Sequence, residues 1–243
     1  KNFLETMPLL KSMHDMHPNH IHEEIELQAM DFSTYLPEWL AYVPEWRDYY
    51  LNHDQINHYK YLKDVLKAMQ FIKGPKKWVL KSPQHLEQIP ALLKTFPDAT
   101  FAITYRDPLS VVLSTATMLS YGDRVRRYTV EPKNNFNYWQ NRIQILLEKF
   151  TNDYKLIPSD QKIDIFFDDL IKDNLKSIKK IYSKNSLSFN NLANSEIREY
   201  MNSNQRGKHG QVIYNLEDFN VDKLEFYRSF KFYFDAFDVL KEI

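Results

Sequence analysis

A chain of 243 residues, 43% hydrophobic and 15% aromatic, can bury one sizeable core, so a single α/β domain is the expected organisation. Lys plus Arg and Asp plus Glu balance at 32 each, which leaves no net field to draw nucleic acid or a membrane surface, while a local basic pocket stays open. The absence of cysteine excludes disulfides, thiolate metal sites and a cysteine nucleophile.

The first residues, KNFLETMPLL, lack the apolar core and cleavage site of a signal peptide, and no later run has bilayer length. A soluble, cytoplasmic protein is expected. Up to about Ile72 the pattern is aromatic-rich and helical; Ile56, Tyr59, Leu62, Val65, Leu66 and Met69 recur at three- and four-residue steps. Lys73–Lys77, KGPKK, breaks that helix and leads into Trp78–Leu80, which reads as a short central strand. A helix is expected from Ser82, with Ser82 as N-cap and Pro83 at the first position, kinked or restarted at Pro90. Thr100–Tyr105, TFAITY, is the second predicted strand, and the helical crossover between the two implies a βαβ unit with a parallel sheet. Pro108 opens another helix, and Lys162–Phe167, KIDIFF, is the third predicted strand, running into Asp168, Asp169 and a lysine-rich helix.

Four glycines, Gly74, Gly122, Gly207 and Gly210, fit neither a turn-rich sandwich nor a glycine-rich phosphate loop. Candidate chemistry therefore sits at strand ends. Lys81 ends the first predicted strand and Arg106 the second, with His85 and Ser114 in the helices that follow. Ligands of open parallel sheets bind outside the carboxyl ends of the strands, so these four side chains are expected to face one crevice. Gln205–Gln211, QRGKHGQ, reads as an exposed basic loop suited to a phosphate.

Two motifs in order, K-S-P-x-H-L from Lys81 and R-D-P-x-x-V-x-x-S from Arg106 to Ser114, followed by NQRGKHGQVIYNLEDF from Asn204, resemble the sulfotransferases that use 3′-phosphoadenosine 5′-phosphosulfate, in their bacterial-type branch. The resemblance runs from about Trp78 onward. It implies a P-loop-type three-layer fold, with residues 1–77 a mainly helical acceptor and lid region and 78–243 the cofactor-binding core of one domain. It assigns Arg106 and Ser114 to the 3′-phosphate of the donor, and Arg206, Gly207 and Lys208 to the loop that closes over it. It places Lys81 and His85 at the transfer centre. His85, whose ordinary pKa leaves a neutral imidazole available, is the expected base for the acceptor proton, and Lys81 is the cation for the charge on the leaving phosphate. No metal is required. The acceptor implied is a hydroxyl or amine of a small molecule, lipid or carbohydrate, and no nucleic-acid partner is expected.

The family also has a strand and a G-x-P-R-S-G-T-type loop for the phosphosulfate, and neither precedes Lys81 here. The first strand and phosphate loop of the fold are thus expected to be missing and the chain to be a fragment with impaired turnover. Tyr105 stands where the family often has histidine.

Simpler roles exist for each residue: Lys81 paired with Glu87, Arg106 bonded to Asp107, Ser114 bonded back within its helix, and the basic loop merely solvated. The stretch HDMHPNHIHEE, with His14, His17, His20, His22, Glu23 and Glu24, invites a metal reading, but it has no H-E-x-x-H pattern and Pro18 interrupts it. It is better suited to border the acceptor, with Glu23 or Glu24 competing with His85 as base. Aromatic rings of FSTYLPEWLAYVPEWRDYY, from Phe32, are expected in helix core, lid and an apolar acceptor pocket. Two other function classes fit the phosphate-binding pattern: a nucleotide or nucleoside kinase, which needs a Walker loop and a magnesium carboxylate, and a non-catalytic nucleotide-binding module.

Overall fold

The structure is a computed structural model that describes residues 5–14, 21–205 and 207–243. The chain divides into two compact units, one of residues 1–20, 100–145 and 159–243, the other of residues 21–99 and 146–158.

The first unit holds the sheet. Strand β1 (Phe101–Tyr105) pairs in parallel with β2 (Lys162–Phe166), Phe101 opposite Lys162 and Tyr105 opposite Phe166. Parallel neighbours need a long crossover. It is supplied by two helices, α1 (Pro108–Asp123) and α2 (Pro132–Asp153), the latter running on into the second unit. Pro108 starts α1 because its missing N–H costs nothing in the first turn, and Asp107 caps that helix by accepting from the Leu109 N–H at 2.9 Å.

Alternation along β1 sends Ile103 and Tyr105 into the core, where they join Leu109, Leu113, Phe136 and Ile165. After β2 come α3 (Phe167–Lys172), α4 (Asn174–Lys184) and α5 (Asn191–Ser203), then two short aromatic-rich helices, α6 (Lys223–Ser229) and α7 (Lys231–Ala236). Phe226 and Phe230 stack at 4.6 Å and pack near Phe136, so the carboxyl-terminal helices close the same core.

The second unit is helical. Its spine is α8 (Ile56–Lys73), whose Tyr59, Leu62 and Leu66 are buried as the periodicity predicts. Helix α9 (Ile89–Thr95) packs along it, and α10 (Ile25–Ala29) packs against the same helix. Between α8 and α9 the chain makes a 3₁₀ turn at Pro83–Glu87, and α9 begins one residue before Pro90, the restart expected there.

Two local expectations are corrected. Trp78–Leu80 is not a strand, and among the described residues the sheet holds only β1 and β2, so no βαβ unit joins Trp78–Leu80 to β1; the crossover that forms links β1 to β2. A strand exists only where another segment completes its ladder, and Val79 is 93% exposed. Ser82 precedes the 3₁₀ turn without capping it, and its buried hydroxyl has no hydrogen-bond partner among the described residues. Among the described residues no helix is long and apolar enough to cross a membrane.

Candidate active site

The phosphate-side candidates lie in the first unit. β1 delivers Arg106 at its carboxyl end, where the guanidinium stacks on the Phe167 ring at 4.0 Å and grips the Glu242 carboxylate at 2.9 and 3.3 Å through Nε and 2.9 Å through a terminal nitrogen. Arg106 is therefore not bonded to Asp107. That carboxylate, fully buried, accepts instead from the Leu109 N–H, the Tyr227 hydroxyl and the Glu242 N–H. Burial and the hydrogen bond to Asp107 push the Tyr227 phenol up, so it stays protonated and donates.

Ser114, two turns into α1, accepts from the Tyr214 hydroxyl at 3.1 Å rather than bonding back within its helix. Tyr214 belongs to the segment that follows the basic loop. Gly207 and Gly210 adopt φ of +79° and +103°, conformations that side chains resist, and Lys208 sits exposed in the turn they shape. Arg206 lies outside the described residues.

The transfer-side candidates lie in the second unit and meet on one carboxylate. Glu24, buried just before α10, accepts the Lys81 backbone N–H at 2.7 Å on Oε2, while its Oε1 touches His85 Nε2. The contact is an ion pair only with the imidazole protonated. Burial pushes the Glu24 carboxyl up, but the contact and charge of His85 together with the Lys81 N–H outweigh it and hold the group below its ordinary 4.5.

On its other face His85 Nδ1 lies 2.8 Å from the Tyr59 hydroxyl. Complete burial pushes the Tyr59 phenol far up, so it remains protonated and is able to donate to Nδ1 when that nitrogen carries no proton. The Lys81 ammonium is paired with Glu23, not Glu87, and is largely exposed.

The 3₁₀ turn that presents His85 is itself anchored. The Gln84 side chain, with no exposure, accepts from Thr34 Oγ and the Tyr35 N–H at 3.1 Å each and donates to Gln28. The aromatic stretch from Phe32 divides: Tyr35 and Tyr50 are buried, whereas Phe32, Tyr42 and Tyr49 are exposed. Of the histidine-rich stretch, His22 pairs with Glu26, while His17 and His20 lie outside the described residues.

Sequence reasoning missed Tyr59, Phe167, Tyr214 and Glu242, and set Glu24 only beside His85 as a rival. Tyr214 sat inside a quoted motif; the others carried no local signal.

A family model, described as the sulfotransferase family, matches residues 3–191. No curated protein matches the chain in sequence. Among solved structures it is similar to the sulfotransferase STF9 from Mycobacterium avium, with a TM-score of 0.82 and 18% identity over 99% of this chain and 64% of that one. It is also similar to the sulfotransferase STF1 from Mycobacterium tuberculosis H37Rv, with a TM-score of 0.71 and 22% identity over 96% and 61%. The chain thus spans less than two thirds of the length of each. At these identities the likeness establishes the fold, a P-loop-type α/β architecture with a small parallel sheet. The match over residues 3–191 covers most of the sequence, and the chain belongs to the sulfotransferase family.

Proposed function

We propose that this chain moves a sulfuryl group from 3′-phosphoadenosine 5′-phosphosulfate to a hydroxyl or amine of a small-molecule, lipid or carbohydrate acceptor. The observation that carries the reading is the Arg106 fork at the end of β1, which already holds an oxyanion, the Glu242 carboxylate, on two oxygens. A guanidinium in that posture suits a phosphate equally well. The donor supplies an activated sulfuryl group and a leaving phosphate; the residues supply placement, charge and a proton acceptor.

On the phosphate side Arg106 takes two oxygens of the 3′-phosphate. Ser114 and Tyr214, already bonded to each other, offer neutral hydroxyls to the same group. Arg206, Gly207 and Lys208 close over it with backbone N–H groups and cations.

On the transfer side Lys81 leaves Glu23 to neutralise the departing phosphate, a motion its exposed ammonium permits. The acceptor proton goes to the Glu24–His85 pair. Both ring nitrogens of His85 are engaged, by Tyr59 and by Glu24, whereas each Glu24 oxygen keeps a second lone pair. The carboxylate is accordingly taken as the base, and His85 with Tyr59 behind it fixes its direction and stabilises its charge.

Calorimetry with adenosine 3′,5′-bisphosphate tests the reading on the chain as it stands. Arg106→Ala is expected to weaken binding by about 2 kcal/mol, roughly thirtyfold, the loss of a charge-assisted pair. Equal affinities for wild type and variant overturn the assignment. A transfer assay with labelled donor across hydroxylated lipids, sterols, sugars and phenols then identifies the acceptor.

A further inference from the structure

The first unit carries a second charged feature that the transfer chemistry does not use. An open groove of about 1180 Å³ runs along α4, between the start of β2, the end of α3 and α5. Six lysines and one arginine line it against a single carboxylate, Asp173. That carboxylate is committed to capping α4, where it accepts the Lys176 N–H at 2.9 Å. In a chain with no net charge, this is a local concentration of one sign, the arrangement that attracts an anion.

The geometry of the cations narrows the ligand. Lys176, Lys180 and Lys184 stand on successive turns of α4, roughly 6 Å apart along its axis and spanning about 12 Å. Lys172, paired with Asp168 at 3.1 Å, extends the row at one end, Lys184 donates to the Ser159 carbonyl at 3.1 Å, and Arg198 lines the groove from α5, so the uncommitted charge of the row centres on Lys176 and Lys180. A repeated row of ammonium groups complements a repeated row of anions. Ile163, Ile171, Leu175 and Met201 add apolar lining against which sugar rings or an aliphatic backbone can rest.

We propose that the groove binds a polyanionic carbohydrate chain bearing sulfate groups on neighbouring sugars. Single-stranded nucleic acid is held by aromatic rings on which bases stack, and the groove is lined by none. Phosphodiesters favour the planar arginine fork, whereas here compact lysine point charges outnumber arginine six to one. A sulfated chain is also what repeated sulfuryl transfer makes, although the groove assignment stands on charge and shape alone.

The test titrates the 243-residue chain with a labelled, highly sulfated glycan octasaccharide, using its desulfated counterpart, a single-stranded oligonucleotide of equal charge and anionic phospholipid vesicles as comparators. Binding to the sulfated chain is expected to weaken steeply with salt and to fall more than about tenfold in Lys176→Glu/Lys180→Glu. The neutral pair Lys176→Gln/Lys180→Gln should lose less, and Lys60→Glu/Lys67→Glu on α8 should lose nothing. An unchanged melting temperature and unchanged affinity for adenosine 3′,5′-bisphosphate in the groove variants separate this site from the nucleotide reading. Equal binding by wild type and the charge-reversed pair, equal binding of the desulfated chain, or tighter binding of the oligonucleotide or the vesicles overturns the proposal.

Discussion

Arg106 holds Glu242 through both carboxylate oxygens, and the same Glu242 donates its backbone N–H to Asp107, the neighbour of that arginine, at 2.8 Å. The carboxyl-terminal segment thus lays a carboxylate on the guanidinium assigned to the nucleotide phosphate. An anion arriving there must first displace it. Glu242→Gln removes the competing charge and is expected to tighten binding of adenosine 3′,5′-bisphosphate about fivefold, in line with a partly exposed ion pair worth about 1 kcal/mol. Calorimetry distinguishes the alternatives by sign: weaker binding in the variant means that Glu242 positions the arginine instead of masking it.

The pair formed by Glu24 and His85 predicts a characteristic pattern in transfer kinetics. Glu24→Gln and His85→Ala are each expected to lower the turnover number roughly a hundredfold or more while nucleotide affinity stays nearly constant, because proton transfer belongs to the transition state. The double variant should lose little beyond the worse single one, since the two side chains act as a unit. Additive losses would show that they act separately. Retained turnover in Glu24→Gln with loss only in His85→Ala would return the base to the histidine.

Glu24 also couples stability to pH. Its carboxyl is held below 4.5 in the folded protein, so the unfolded chain binds the proton more readily there. The stabilisation is fully present above pH 4.5 and is lost as the pH falls through the lower folded value. Urea unfolding of wild type and Glu24→Gln at a series of pH values checks this: the difference in stability between them should shrink as the solution is acidified below 4.5, and a difference that stays constant or grows contradicts it.

Asp107 receives three donors while fully buried. Asp107→Ala removes a helix cap, leaves the Glu242 N–H without its acceptor and leaves the Tyr227 hydroxyl only the Ile243 carbonyl, a combined cost of about 2–3 kcal/mol. Tyr227→Phe removes one of the three bonds and should cost about 1 kcal/mol. Chemical denaturation measures both, and an Asp107→Ala variant as stable as wild type would mean that water or a neighbour replaces the carboxylate.

Much of the local structure was legible because it depends on nearby residues alone. The three- and four-residue spacing of Tyr59, Leu62 and Leu66 fixes the buried face of α8, the apolar alternation around Ile103 and Tyr105 marks β1, and Pro108 and Pro90 mark helix starts through their fixed φ. The position of Arg106 at a strand end and of Ser114 in the next helix followed from the same local rules, and the ordered motifs pointed to the family. Tertiary structure decided the rest. Trp78–Leu80 has strand-like residues but becomes a strand only if a partner completes its hydrogen bonds, which no local propensity guarantees. The companions of the site residues, Tyr59 on His85, Glu24 on the Lys81 N–H, Tyr214 on Ser114 and Glu242 on Arg106, come from segments far apart in the chain. Spacing along a helix or strand says which way a side chain points. Which distant donor or acceptor it meets is set by how the elements pack, because a buried polar group takes whatever partner the closed core brings within reach.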